Sequence, residues 1–302
     1  MDIMTVLNFA KEMIATMLIL LTMWSPAFGQ SAATPYKAED PDALVASFAA
    51  VSDVHIETNR AETFKNFKSV LEGIEAAENV DAAIFTGDNV MNGQITENLF
   101  FYLGLRGAMP AEKNYVVMGN HDIGNGTGNY LDHKNNFVTN NRLFLGNLVN
   151  DGYYYRVEKG CYLIFLGLED LTVNTSIMSE EQLNWFAGVL DEAKAKDAPI
   201  LVFNHHPINY LEGVPADSLI NLCKGYDKLI YVHGHIHDHL GADNFYNVGG
   251  VNCINLPRCT ESVDYEPGDG FVIEVYENEF VVRSRDFIKG EWLEDLRYEY
   301  EF

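Results

Sequence analysis

Positive charge is what this 302-residue chain has least of. Lysine and arginine number 20 against 44 aspartates and glutamates, leaving a formal net charge of −24 and a pI near 4.6. That balance argues against holding nucleic acid by neutralising its phosphates, and against adhesion to anionic membrane surfaces. Proline is sparse at 9 residues, and no Pro/Gly/Ser-rich stretch divides the chain after residue 42. No repeat or low-complexity tract is present, which excludes solenoids and arrays. The 4 cysteines, Cys161, Cys223, Cys253 and Cys259, contain no C-x-x-C spacing, which sets aside a thiolate zinc site and a thioredoxin-like motif. Pairing or burial as free thiols both stay open, because a chain this long needs no staples to keep a core.

Long apolar runs are also lacking. The one unbroken run, MIATMLILLTMW at 13–24, is shorter than the roughly 20 residues a membrane span needs. It is followed by Ala27 and Gly29 at the −3 and −1 positions of a cut before Gln30, the small-residue pattern of a secretory cleavage site. Its basic flank is weak, since Lys11 is offset by Asp2 and Glu12. The expectation is a signal peptide over 1–29, a polar linker over 30–42 and one domain over 43–302, with an uncleaved N-terminal anchor as the alternative. Either places the domain outside the cytoplasm, secreted or periplasmic, with no stable membrane partner unless the segment stays uncleaved.

Beyond residue 42 the chain alternates between buried-strand and helical patterns. Strands are expected at 44–52, 81–87, 114–119, 198–204 and 228–234, and helices at 61–78, 95–108, 131–143 and 179–197. Residues 152–168 read as a hairpin turning at Lys159-Gly160, and from 243 onward the pattern is short strands and turns. The expected fold class is α/β, with strands sandwiched by helices.

The polar residues that immediately follow the buried strands carry the chemistry. They are Asp53 and His55 in SDVHIE, Asp88 in TGDN, Asn120, His121 and Asp122 in GNHD, His205 and His206 in HHP, and His235 and His237 in GHIH. Of the 9 histidines, only His133 stands away from these blocks. Each residue alone has an ordinary explanation: Asp and Asn after a strand are turn residues, and a lone histidine is a satisfied polar neighbour. Their joint order is what counts, since strand C-termini share the edge where α/β sheets bind ligands. Gly87, Gly119 and Gly234 each precede a candidate ligand, where glycine allows both unusual backbone angles and close approach.

In this order the blocks D-x-H, G-D, G-N-H-D, H and G-H-x-H, from residue 53 to 237, resemble those of calcineurin-like metallophosphoesterases. The resemblance implies two mixed β-sheets packed as a sandwich flanked by helices, and a site for two divalent transition-metal ions. One ion would take Asp53, His55 and His237, the other Asn120, His205 and His235, with Asp88 bridging. The donor mixture suits Mn, Fe or Zn better than an all-oxygen site. Two such ions carry about four positive charges against two carboxylates and a bridging hydroxide, leaving about one to attract an anionic ester. The implied reaction is in-line attack of that hydroxide on phosphorus. His121 would donate a proton to the leaving oxygen and Asp122 would orient it.

Subgroup features narrow the expectation. Met91 stands where purple acid phosphatases carry a tyrosine. His55 and Asp122 resemble the cyclic-nucleotide phosphodiesterase-like branch, which points to a small phosphodiester, with monoesters also open. His206 is expected beside the site, His233 as the last strand residue and His239 at the rim. The alternative is a non-catalytic scaffold on the same fold.

Overall fold

The apolar runs become strands because their residues are buried on both faces, so alternate side chains feed two different cores. The computed structural model describes residues 38, 40–77, 80–108, 111–260 and 266–302. The apolar run at 13–24, the cut before Gln30 and most of the 30–42 linker lie outside the described residues. Among those described, no helix is long and apolar enough to cross a membrane.

In chain order the elements begin β1 (Ala46–Val51), α1 (Ala61–Ala76), β2 (Ala82–Thr86), α2 (Ile95–Gly107), β3 (Asn114–Val117) and α3 (Tyr130–Leu145). Next come β4 (Tyr154–Glu158), β5 (Cys161–Phe165), β6 (Ser176–Ile177), α4 (Glu180–Ala195), β7 (Ile200–Phe203), β8 (Leu211–Glu212), α5 (Ser218–Cys223) and β9 (Leu229–His233). The chain closes with β10 (Phe245–Val248), β11 (Val251–Asn255), β12 (Asp269–Val275), β13 (Glu279–Asp286) and β14 (Glu291–Glu301).

Two six-stranded sheets result, in the orders β14-β13-β12-β1-β2-β3 and β10-β11-β9-β7-β5-β4. Strands β1, β2 and β3 run parallel, as do β5, β7, β9 and β11. The outer strands pair antiparallel, so both sheets are mixed. Leu163, Phe165, Leu201, Phe203, Ile230 and Val232 of the second sheet share a core with Phe48, Ala50 and Ile84 of the first. The intervening Tyr162, Ile164, Ile200, Val202 and Tyr231 join Phe186 and Leu190 of α4 in a second core on the opposite face. Over the first sheet, Phe67 of α1 and Phe101 of α2 stack at 5.2 Å and both meet Phe85. This is the sandwich with flanking helices that the motif blocks implied.

Local signals explain several boundaries. Ser179 caps α4 through its hydroxyl, which accepts from the Gln182 amide at 3.2 Å, satisfying an otherwise orphaned donor. Lys159 (φ 47°) and Gly160 (φ 87°) form the two-residue turn between β4 and β5, with the twist that hairpins favour. One expectation is corrected. The C-terminal stretch is a meander of 7-, 8- and 11-residue strands, because its turns are short and its residues gain partners from β1 outward. The four cysteines are all free and buried.

Candidate metal centre

The parallel strands of both sheets end at one edge, and the motif residues occupy the turns just beyond it. Among the described residues, five of the eight non-glycine residues with positive φ are Asp53 (57°), His55 (49°), Asp88 (49°), His235 (71°) and His237 (59°). Such backbone is strained for ordinary residues and collects at functional sites. Here the turns are clasped to one another. The Asp53 amide donates to Gly87 O at 3.1 Å and the His55 amide to Asp88 O at 2.9 Å. The His121 amide donates to Asp88 Oδ1 at 2.8 Å, and the His235 amide to Asp53 Oδ2 at 3.1 Å.

The side chains converge in two groups that share Asp88. Asp53, His55, Asp88 and His237 offer ligand atoms within 4.8 Å of one another, and so do Asp88, His205 and His235. His237 Nε2 lies 2.8 Å from Asp53 Oδ1 and 3.1 Å from His55 Nε2. Two imidazole nitrogens aimed at each other need a proton or a cation to reconcile their lone pairs. His205 Nε2 stands 3.1 Å from Asp88 Oδ2 while its Nδ1 donates to Thr86 O at 2.9 Å, the outer hydrogen bond that fixes the tautomer of a metal-binding histidine.

Asn120 presents a buried Oδ1 with no hydrogen-bond partner, its amide nitrogen being held by Asn125 Oδ1 at 3.1 Å. An orphaned carbonyl oxygen of this kind is costly and suits a metal ligand. The residues present therefore fit a pair of cations.

Electrostatics agree. Burial pushes Asp53 upward, but hydrogen bonds from His237 and His55 and the charge of His205 hold it well below the usual carboxylate range. Asp88 is lowered too, its burial outweighed by the charge of His205 and the bond from it. His205 is buried, which alone would lower it, yet the charge and bond of Asp88 lift it to about 9. His235 falls to about 4, chiefly by burial and then by the charge of His205.

The three glycines serve the site by proximity. A Cβ at Gly119 would meet Asp88 Oδ1 at 2.2 Å, at Gly234 the Asp53 Oδ2 at 2.4 Å, and at Gly87 the His205 ring at 2.5 Å. Only Gly87 also needs the left-handed backbone (φ 90°), so at the other two positions space is the whole reason.

One expected contact is not made. Asp122 does not orient the His121 ring. Its oxygens accept from the amides of Gly119 (2.7 Å), Asn89 (3.0 Å) and Val90 (3.1 Å) and from the Asn89 side chain (3.1 Å). Burial, then the charge of Asp88, raises Asp122 to about 7. Asp122 anchors the turn between β3 and α3. The His121 ring is set instead by Met91 O, 2.6 Å from its Nδ1, and lies edge-on to His55 at 4.8 Å. Met91 and Thr86 act through backbone carbonyls, which leave no mark in sequence, and so sequence reasoning missed them. Asn89, whose amide also reaches Val117 O at 2.9 Å, had a visible signal as the residue after Gly-Asp.

The other histidines fall around the centre. His206 is fully buried, its ring 4.3 Å from that of His235. His233 is the last residue of β9 and hydrogen bonds Tyr246, and His239 is exposed.

Fold and site together define a metallophosphoesterase sandwich, with ligands gathered at the strand ends of both sheets. Residues 46–239 match the calcineurin-like phosphoesterase family, and the chain belongs to it. Among solved structures, it is similar to a predicted phosphoesterase from Streptococcus pneumoniae (13% identity, 85% of this chain and 98% of that one, TM-score 0.40). It is likewise similar to Vacuolar Protein Sorting 29 from Cryptosporidium parvum (15%, 85% and 97%, TM-score 0.39). A third is the sulfate thiohydrolase SoxB of Thermus thermophilus (11%, 86% and 60%, TM-score 0.47). None of the curated proteins matches the chain.

Proposed function

We propose that this chain is a dinuclear-metal-dependent hydrolase of small phosphodiesters that also accepts phosphomonoesters. The observation that carries the reading is Asp88, whose carboxylate belongs to both ligand groups and has two oxygens to offer two ions. Asp53, His55 and His237 would hold one ion, and Asn120, His205 and His235 the other. When bound, two divalent ions, Mn, Fe or Zn by the donor set, supply an acidified water and positive charge for the phosphoryl oxygens.

The chain's own residues do the rest. Thr86 O keeps the proton of His205 on Nδ1 and frees Nε2 for ligation. Met91 O engages His121 Nδ1, leaving Nε2 as the nitrogen that delivers a proton to the departing oxygen. Asp122 keeps Asn120 and His121 in place by gripping the amides of Gly119, Asn89 and Val90. Export is part of the proposal, supported by the apolar run at 13–24 and the small residues Ala27 and Gly29; N-terminal sequencing of the mature protein tests it.

The deciding experiment strips the protein with chelator, reloads it separately with Mn, Fe and Zn, and measures hydrolysis of a panel of phosphomono- and diesters. Metal-dependent turnover, faster on diesters, is expected. Bound metal with no hydrolysis of any ester would refute the enzyme and favour a scaffold.

A further inference from the structure

Among the described residues, three of the exposed large apolar side chains stand on segments that border the candidate centre. Ile236 sits between the candidate ligands His235 and His237 and is 37% exposed. Tyr210 is 38% exposed, with its ring centroid 6.3 Å from that of His235 at 79°. Val173 is 43% exposed and borders Gly126 in the turn after His121, where an added Cβ would lie 2.9 Å from its Cγ2.

These side chains stand on built structure. The carbonyl of Tyr210 accepts from the Ser176 amide at 2.7 Å, and β6 pairs with β8 immediately beyond it. Its amide donates to Pro207 O at 2.9 Å, closing a turn that starts two residues after His205. Among the described residues, no hydrogen bond holds the Tyr210 phenol. The small sheet β6–β8 thus fixes a partly exposed aromatic ring beside that of His235.

Beyond Ile236 the rim turns acidic. Asp238 is exposed, held through Oδ2 by Asn255 at 2.9 Å, and it repels a second anionic group. A ligand gripped by its phosphoryl group would therefore meet an aromatic face, an aliphatic side chain and a negative charge.

We propose that Tyr210 and Ile236 form an apolar subsite beside the centre, and that it selects esters carrying an uncharged, flat aromatic substituent. This rests on the phosphoesterase reading and adds the substrate class. Stacking of an aromatic substituent on the tyrosine ring and burial of that substituent together amount to about a tenfold preference.

The test uses the full chain loaded with Mn and two non-hydrolysable probes of like charge, phenylphosphonate and methylphosphonate. Calorimetry gives the ratio of their dissociation constants directly, without turnover. Wild type is expected to bind phenylphosphonate about tenfold more tightly. Tyr210→Ala and Ile236→Thr should each bring the ratio to within about threefold of one, while Tyr210→Phe keeps it; metal content confirms that each variant is loaded. A wild-type ratio near one, or a ratio unmoved by both substitutions, overturns the subsite and leaves the enzyme standing. If neither phosphonate binds the loaded protein and no ester is hydrolysed, the phosphoesterase reading falls and the subsite with it.

Discussion

Gly119→Ala adds one methyl group where the structure has no room for it. The new Cβ would lie 2.2 Å from Asp88 Oδ1 and 2.3 Å from Asp88 N, a carboxylate and a backbone atom rather than the loose end of a side chain. Neither neighbour can step aside freely. Asp88 Oδ1 accepts the His121 amide at 2.8 Å, and the Gly119 amide is held by Asp122 Oδ2 at 2.7 Å. Overpacking of this kind costs about 1–3 kcal/mol, which lowers the melting temperature by roughly 3–10 °C for a domain of this size. Because the displaced group is Asp88, metal binding should suffer as well, with both ions lost together. The assay is a thermal melt of the metal-free protein, paired with metal analysis after reloading. Gly188→Ala is the control: Gly188 is exposed in α4 with nothing within 4 Å of an added Cβ. It should gain roughly 1 kcal/mol from helix propensity and keep its metal. A Gly119→Ala protein with wild-type melting temperature and full metal content would refute the close-packing argument.

Three further outcomes are expected. His121→Ala should cut turnover by about 10²–10⁴-fold with metal content intact, measured by steady-state kinetics and elemental analysis; loss of both together would make His121 structural. Asp269 is raised to about 6 by burial and then by the charge of Asp286. Its contribution to stability is thus full below the unfolded value near 4 and is lost as pH rises through about 6. Asp269→Asn should therefore gain stability over wild type at pH 8 and much less at pH 4.5; an equal shift at both in melts would contradict this. Finally, all four thiols are buried and unpaired, so a thiol reagent should find none in the native protein and 4 after denaturation.

How much of the fold and site was legible in sequence depends on what carries each feature. The ligand blocks were legible because side chains make them, and because each comes after an apolar run that can only be a buried strand. The helix from Glu180 was legible because Ser179 caps it, and the hairpin because Lys159-Gly160 is a turn dipeptide. The partner of His121 was not, since a backbone carbonyl has no letter of its own. Asp122 misled for the opposite reason: adjacency to a histidine in sequence suggested contact, whereas the turn points its carboxylate at three amides. The strands β6 and β8, with two residues each, are too short for any period to show. The C-terminal meander was read as short strands and turns, with only the alternating end RYEYEF at 297–302 marking its last strand, which runs over 11 residues.

The clasped turns reach across the chain's whole ordering. His237 meets Asp53 across 184 positions and His205 meets Thr86 across 119, one partner from each sheet every time. Closing such loops is entropically slow and comes late in folding. A growing or truncated chain that stops before residue 229 lacks β9 and the turn beyond it, and holds no complete half of the centre. A metal held by these residues would therefore join the two sheets, since each ligand group draws side chains from the turns of both.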